Sequence, residues 1–316
     1  RINITLHWLL GGKRQEANSP NINSHNLCQH RSATTRRRFA DNSNKIFAWW
    51  QMYKRNLRKN LLDDFNSLLP GNTVGEKGPG VTAIIPTSPI ASNPDTSLIE
   101  EAVESIRHHL PDCEIIITFD GVREEQADMK DDYDEFKRKV LWMCNKKWKN
   151  VVPMLFEEHL HQVAMCREAL KVVRTDKILY MEHDTPLTKD PIEWEAIMKM
   201  LDTGQADLMR FHFEAYIPGE HQEMMLDDEP QEIEGIKAVR TIQWSQRPHI
   251  ANTEFYNAIL RDYFSPEART FIEDKMHGVV ISAYKKQQMT GWNKFKLWIY
   301  HPDGNIKRSY HTDGRG

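Results

Sequence analysis

The stretch Lys177-Ile-Leu-Tyr-Met-Glu-His-Asp-Thr-Pro-Leu187 joins a short apolar run directly to a cluster of acids. The run 178–181 has the length of a buried strand, and Pro186 prevents the strand from continuing past the cluster. Two carboxylates one residue apart, Glu182 and Asp184, are costly at the end of a buried strand unless a cation or a donor meets them. Such oxygens suit Mg²⁺ or Mn²⁺ carrying a substrate's phosphates. The alternative is a solvated turn with incidental acids.

Strands and helices alternate before this stretch. Apolar runs predict strands over 81–86, 114–119 and 151–156, and the helices between them are predicted from Ser97, over 124–142 and over 162–173. This alternation is typical of a mostly parallel, doubly wound α/β sheet flanked by helices, in which ligands bind at the carboxyl ends of the strands. Polar residues follow three of these strands: Pro86 and Thr87, Asp120 and Gly121, and the acidic cluster. We expect them to converge on one edge of the sheet.

The remaining chain continues the same pattern. Helices are predicted over 191–201, 253–263 and 267–276, and strands over 206–213, 237–243 and 295–300. The acidic segment 217–236 contains a Pro-Gly pair and three successive apolar residues at 224–226, and we interpret it as a mobile flap.

Composition bounds the class of protein. Of the 316 residues, 40% are hydrophobic and 28% are charged, as in ordinary globular proteins, and no apolar run approaches the ~18 residues that span a bilayer. Four cysteines (Cys28, Cys113, Cys144 and Cys166) lack metal-binding spacing, so we interpret them as apolar packing residues in a reducing compartment. We therefore expect a cytoplasmic location, with peripheral contact with a membrane as a further possibility.

Charge divides the chain into an arm and a domain. Residues 1–78 carry 13 Lys/Arg against 5 Asp/Glu, whereas residues 79–316 carry 29 against 40. We predict an irregular basic arm over 1–45, an amphipathic helix over 46–70, a glycine-rich linker over 71–80 and a domain over 81–316. The helix would either pack on the domain or contact an anionic surface.

The order of these motifs resembles nucleotide-sugar glycosyltransferases of the GT-A fold, and family 2 in particular, over most of 81–316. The resemblance implies a nucleotide-sugar-binding half over 81–184 and an acceptor-binding half over 185–316. It implies a nucleotide pocket lined by Pro86, Thr87, Asp120 and Gly121. Arg167 matches an arginine that faces the diphosphate.

The resemblance also assigns the metal and the base. Glu182 and Asp184 stand where the family has Asp-x-Asp, and the Glu at the first position makes Asp184 the favoured ligand of Mn²⁺ or Mg²⁺. His311 matches a late histidine that completes the metal site in several GT-A enzymes. Glu273 and Asp274 match the acidic pair that supplies the catalytic base, although such a pair on a helix is more often a solvated face.

Residues 243–249, Gln-Trp-Ser-Gln-Arg-Pro-His, are rich in side-chain donors. Planar polar groups and an aromatic ring suit a sugar or another flat acceptor. We therefore predict acceptor contacts from Trp244, Gln246, Arg247 and His249, with a packed turn around a core tryptophan as the alternative.

The resemblance implies a metal-dependent hexosyl- or pentosyltransferase with a nucleoside-diphosphate sugar donor, UDP-type favoured. It also implies inversion at the anomeric carbon, and we expect a glycan or lipid-linked acceptor. Glycosylation of a hydroxylated nucleic-acid base, held by the basic arm, is a second possibility. A nucleotide-sugar-binding module without activity is the third, and donor turnover separates it from an enzyme.

Overall fold

The computed structural model describes residues 78–212, 217, 219–304 and 306–312. The predicted basic arm, the amphipathic helix and residues 71–77 of the linker lie outside the described residues.

The described residues form strands and helices in alternation. The strands are β1 Gly78–Thr87, β2 Glu114–Phe119, β3 Val151–Leu155, β4 Thr175–Tyr180, β5 Leu208–Phe211, β6 Gln231–Ile233, β7 Ile236–Arg240, β8 His249–Asn252 and β9 Leu297–Tyr300. The helices are α1 Ser97–His109, α2 Lys130–Lys146, α3 His161–Leu170, α4 Trp194–Asp202, α5 Gly219–Gln222, α6 Thr253–Tyr263, α7 Ile272–Gln287 and α8 Met289–Trp292, and a 3₁₀ helix spans Glu124–Met129.

The nine described strands form one sheet in the order β3-β2-β1-β4-β8-β5-β9-β7-β6. Strands β3 to β4 are mutually parallel, as are β5 and β9. Strand β8 is antiparallel to β4 and β5, and β7 is antiparallel to β9 and β6. Seven strands therefore point one way and two point the other. The predicted α/β class, a mostly parallel sheet flanked by helices, is confirmed.

The first half of the sheet is covered on both faces. Ile84, Ile85, Ile116 and Ile117 are at most 1% exposed, although successive side chains point to opposite faces. Continuous β-branched runs of this kind are typical of parallel strands between two helical layers. The carboxyl ends of β1, β2 and β4 consequently meet at one edge, where the polar residues of the sequence prediction follow them.

Four local predictions need correction. Residues 78–80, assigned to the linker, belong to β1, and the helix predicted over 267–276 spans Ile272–Gln287. Strand β8 was not predicted, because its four residues, His-Ile-Ala-Asn, are too few and too polar to show a strand pattern. The segment 224–236 is not a mobile flap: Leu226 N donates to the Arg240 carbonyl at 2.9 Å, and the Asp227 carboxylate accepts from Arg240 N at 2.8 Å. Residues 231–233 also pair with β7. These bonds hold the segment against the sheet.

The described cysteines behave as packing residues. Cys113, Cys144 and Cys166 are free thiols, and burial raises their pKa values to about 11, 12 and 12. Such thiols are protonated and poorly nucleophilic at neutral pH. Within the described part of the chain, no helix is long and apolar enough to cross a bilayer.

Candidate functional site

The end of the chain pairs with the loop that follows β4. Tyr310 N donates to the Pro186 carbonyl at 3.2 Å, and Thr312 N donates to the Asp184 carbonyl at 3.0 Å. Thr312 Oγ1 donates to the same carbonyl, also at 3.0 Å. Because His311 lies between these two anchored residues, the backbone pairing places its ring beside the acidic cluster, 127 residues away in the sequence.

Asp184 and His311 form the candidate metal pair. His311 Nε2 lies 3.9 Å from Asp184 Oδ2, a separation that two bonds of about 2.1 Å to one ion can span. Asp184 is 7% exposed, so an ion bound there would be largely buried. Over the residues that the structure describes, no group of three or more His, Cys, Asp or Glu side chains is arranged for a metal. One carboxylate and one imidazole would supply two of the ligands that a divalent cation needs.

Gln162, in the first turn of α3, connects the acidic cluster to the second half of the domain. Its Nε2 donates to Gln246 Oε1 at 2.7 Å and to Glu182 Oε1 at 3.3 Å. Its Oε1 accepts from Gln246 Nε2 at 2.9 Å and from Ile272 N at 2.8 Å. These four bonds use the full hydrogen-bonding capacity of a buried amide. Gln162 thereby fixes the loop after β4, the 243–249 loop and the start of α7 relative to one another.

The two acids of α7 have different environments. Glu273 Oε2 accepts from Gln246 N at 2.9 Å, so this half-buried carboxylate holds the 243–249 loop. Asp274 is exposed, and its Oδ2 accepts a long bond of 3.4 Å from Thr270 Oγ1. Of the two carboxylates, Glu273 is therefore held by the protein and Asp274 faces solvent.

Asp120, at the end of β2, supports the start of α3. Its Oδ1 accepts from Leu160 N at 2.6 Å and from Gly121 N at 2.9 Å, and its Oδ2 accepts from His161 N at 3.0 Å. His159 Nδ1 lies 2.8 Å from the same Oδ2. Asp120 and Glu182 therefore both contact the first turn of α3, Asp120 through backbone N–H groups and Glu182 through the Gln162 amide. The carboxylate of Asp120 is already bonded to protein donors, which a nucleotide base would have to replace.

The remaining residues predicted to contact the nucleotide, Pro86, Thr87 and Gly121, take part in backbone packing and strand pairing. A Cβ on Gly121 would lie 2.3 Å from the Glu158 carbonyl carbon, so only glycine allows this approach of the two loops. Thr87 Oγ1 donates to the Thr118 carbonyl at 2.9 Å, which joins β1 to β2. Pro86 is buried within β1, opposite Thr118. Their position at the sheet edge agrees with the prediction, but the Thr87 hydroxyl is used inside the fold.

Arg167 contacts backbone carbonyls and does not take the diphosphate-facing role that the resemblance implies. Its guanidinium donates to the carbonyls of Leu260, Pro266, Ser265 and Phe264 at 3.0, 3.0, 3.2 and 3.4 Å. These carbonyls belong to the end of α6 and the turn that follows it. Arg167 therefore caps a helix C-terminus, where a cation is favourable, and its donors face the protein.

The predicted acceptor residues divide into core and site. Trp244 and His249 are each 1% exposed, and the His249 ring stacks on Tyr180 with centroids 5.3 Å apart. Burial lowers the pKa of His249 to about 4. Neither ring can contact an acceptor, so these two predictions are corrected in favour of the packed-turn alternative. Gln246 lies in the Gln162 network, and Arg247 Nη1 lies 2.7 Å from His212 Nδ1.

Sequence reasoning missed three residues that lie near the acids of the candidate site: Gln162, His161 and Phe271. Phe271 is 44% exposed and precedes α7, and its ring lies edge-to-face on His161 with centroids 4.5 Å apart. The signal was weak, because a glutamine at a helix start and a phenylalanine in an apolar stretch are both ordinary. Only the fold brings them beside the acids.

Comparisons with known proteins give remote structural matches. The crystal structure of residues 1–349 of TarS from S. aureus, a GT-A-like family 2 glycosyltransferase, aligns over 73% of this chain and 60% of that chain, with 16% identity and a TM-score of 0.43. A longer TarS structure aligns over 73% and 36%, with 15% identity and a TM-score of 0.43. The TarS 1–349 complex with UDP-GlcNAc aligns over 75% and 59%, with 13% identity and a TM-score of 0.44.

The chain thus spans less than two thirds of each of these TarS structures. No protein-family model and no curated protein matches the sequence.

Proposed function

We propose that the domain is a metal-dependent glycosyltransferase that moves a sugar from a UDP-type donor to an acceptor hydroxyl. The observation that carries the proposal is the pairing of Asp184 with His311 at the carboxyl end of β4, 3.9 Å apart. The Gln162 amide connects Glu182, two residues before Asp184, to the start of α7, the helix that carries Glu273 and Asp274.

Asp184 and His311 would hold Mn²⁺ or Mg²⁺, with Glu182 close by. A carboxylate and an imidazole form an oxygen-nitrogen donor set that suits Mn²⁺. When bound, the cation would neutralise charge that develops on the departing nucleoside diphosphate. The protein's own contribution is to fix both ligands: the backbone bonds of Thr312 and Tyr310 hold the tail, and Gln162 holds Glu182.

Asp274 is the proposed general base. Its carboxylate would accept the proton of the acceptor hydroxyl while the acceptor oxygen bonds to the anomeric carbon and the bond from that carbon to the diphosphate oxygen breaks. General-base catalysis by a positioned carboxylate contributes on the order of 10²–10⁴ in rate. One base on one side of the sugar gives a single displacement, so we propose inversion.

The acceptor in this proposal is a glycan. Residues 79–316 carry 29 Lys/Arg against 40 Asp/Glu, a balance that disfavours a nucleic-acid backbone across the domain. The proposed location is the cytoplasm.

A donor screen tests the proposal. The wild-type chain is incubated with Mn²⁺ and, in turn, UDP-GlcNAc, UDP-glucose and UDP-galactose, and released UDP is measured. We expect turnover of at least one donor and loss of turnover with EDTA. UDP binding without turnover would instead indicate a binding module, and NMR of the product's anomeric proton would decide between inversion and retention.

A further inference from the structure

An exposed aromatic ring lies at the residue before α7. Phe271 is 44% exposed, whereas Trp244, the aromatic side chain that the sequence suggested for acceptor contact, is 1% exposed. A single exposed apolar side chain is ordinary on a protein surface. The exposure therefore matters only if the surrounding structure holds the ring in place.

The backbone around Phe271 is fixed on both sides. Val163 N donates to the Thr270 carbonyl at 3.2 Å, and Ile272 N donates to Gln162 Oε1 at 2.8 Å. The ring is thus presented by a segment that is anchored to the first turn of α3. Rigid aromatic side chains lose little conformational freedom when they bind a partner.

His161 supports the ring from the side. Its imidazole lies edge-to-face on Phe271, with centroids 4.5 Å apart. The His161 backbone has a φ of 59°, in the left-handed region that non-glycine residues rarely adopt, and the carboxylate of Asp120 holds it there by accepting its N–H at 3.0 Å. Backbone strain of this kind persists where the surrounding structure enforces it and is concentrated at functional sites.

The aromatic row continues toward β2. His159 lies edge-to-face on His161 with centroids 5.4 Å apart, and its Nδ1 contacts the Asp120 carboxylate at 2.8 Å. At the other end, Asp274 follows Phe271 by three residues, and Thr270, the residue before Phe271, donates to it. The exposed ring therefore lies at the start of the helix that carries the proposed base.

We propose that Phe271, supported by His161, is the platform on which a pyranose ring of the acceptor glycan stacks. The inference rests on the proposed function and adds the acceptor subsite to it. A sugar presents C–H groups on its ring face and hydroxyls at its edge. Stacking on Phe271 would leave those hydroxyls beside Asp274 and the partly exposed Gln246.

The test is oligosaccharide binding by the full chain. Saturation-transfer NMR and calorimetry with chitotetraose, maltotetraose and cellotetraose compare the wild type with Phe271→Ala and Phe271→Tyr. Trp142→Ala is the matched control, because Trp142 is a 61% exposed aromatic on α2. Thermal unfolding verifies that each variant is folded.

We expect the wild type to bind at least one of these sugars through its ring C–H protons. Phe271→Ala should weaken that binding about tenfold, the effect of losing one good aromatic contact, whereas Phe271→Tyr and Trp142→Ala should retain it. Equal binding by wild type and Phe271→Ala, or binding of none of the three sugars by the wild type, would overturn the platform. Donor turnover is measured separately, so sugar binding without UDP release would reject the transferase and leave the platform in place.

Discussion

Gln162 and Gln246 exchange two hydrogen bonds through their side-chain amides, at 2.7 and 2.9 Å, although they are 84 residues apart in the sequence. Gln162 contacts Glu182 of the acidic cluster, and Gln246 contacts Glu273 of α7 through its backbone N–H. The pair therefore connects the acidic cluster after β4 to the helix that carries the proposed base.

Breaking the amide pair should misplace the base relative to the metal ligands. We expect Gln162→Ala and Gln246→Ala each to lower kcat for transfer about 10²-fold, the scale of a 1 Å displacement near the chemistry. The double variant should be little worse than Gln162→Ala alone, because Gln162→Ala already removes both bonds between the two amides. Gln205→Ala is the control, since Gln205 bonds to Glu234, outside this network. Additive losses would show that the two glutamines act independently.

The two acids of α7 should separate by role. Asp274→Asn is expected to leave UDP affinity within about twofold and to lower transfer by at least ~10²-fold, because it removes the base alone. Glu273→Gln keeps a side-chain oxygen that can accept from Gln246 N, so the loss should be smaller. Isothermal titration with UDP and steady-state transfer rates measure the two effects. A larger loss of transfer rate in Glu273→Gln than in Asp274→Asn would mean that Glu273, and not Asp274, is the base.

Arg167 should be a stability residue. Arg167→Met keeps the aliphatic stem but leaves the carbonyls at the end of α6 without their donor, so the free energy of unfolding should fall by about 2 kcal/mol. Donor KM should not change at temperatures where the variant is folded. Arg261→Met, which removes a largely exposed arginine paired with its neighbour Asp262, should unfold like the wild type. A raised donor KM with unchanged stability would restore the diphosphate role.

Buried His249 should make the domain sensitive to acid. Burial lowers the pKa of His249 in the folded protein to about 4, below the ordinary 6.5, so the unfolded chain binds a proton more readily. The contribution of neutral His249 to the free energy of unfolding is fully present above pH 6.5. It is lost as the pH falls toward 4, by about 3 kcal/mol over the whole window. The variant His249→Asn removes the titrating imidazole but keeps a side-chain donor for the Arg247 carbonyl.

Urea unfolding at pH 7, 6, 5 and 4.5 should therefore show a shallower decline for His249→Asn than for the wild type. His212, whose pKa burial and nearby arginines lower to about 2, contributes equally in both proteins. The same pH dependence in both would mean that His249 is not the source.

The fold class could be predicted because its signals are local. Runs such as 114–119 and 178–181 are apolar on successive positions, which distinguishes strands covered on both faces. The placement of the acidic cluster at a strand end followed from Pro186, which stops the run. The pairing of Asp184 with His311 was expected from a family pattern, and the tail bonds of Tyr310 and Thr312 give it a physical basis.

The use of each polar side chain could not be predicted in the same way. Nothing in the sequence distinguishes an arginine that caps a helix, as Arg167 does, from one that meets a phosphate. Trp244 and Phe271 likewise differ only in which side of the fold each faces. Gln162 has no motif at all, because its role depends on three segments that meet only in the folded chain.

The most direct test of the central claim compares wild type with Asp184→Asn in Mn²⁺-dependent release of UDP from the donor that the wild type uses. Asparagine preserves the shape of the side chain and the carbonyl that accepts from Thr312, so the fold should persist. We predict that Asp184→Asn loses Mn²⁺-dependent turnover by at least ~10²-fold, as expected when charge stabilisation is removed from a transferred group. Near-wild-type turnover by Asp184→Asn would contradict the account.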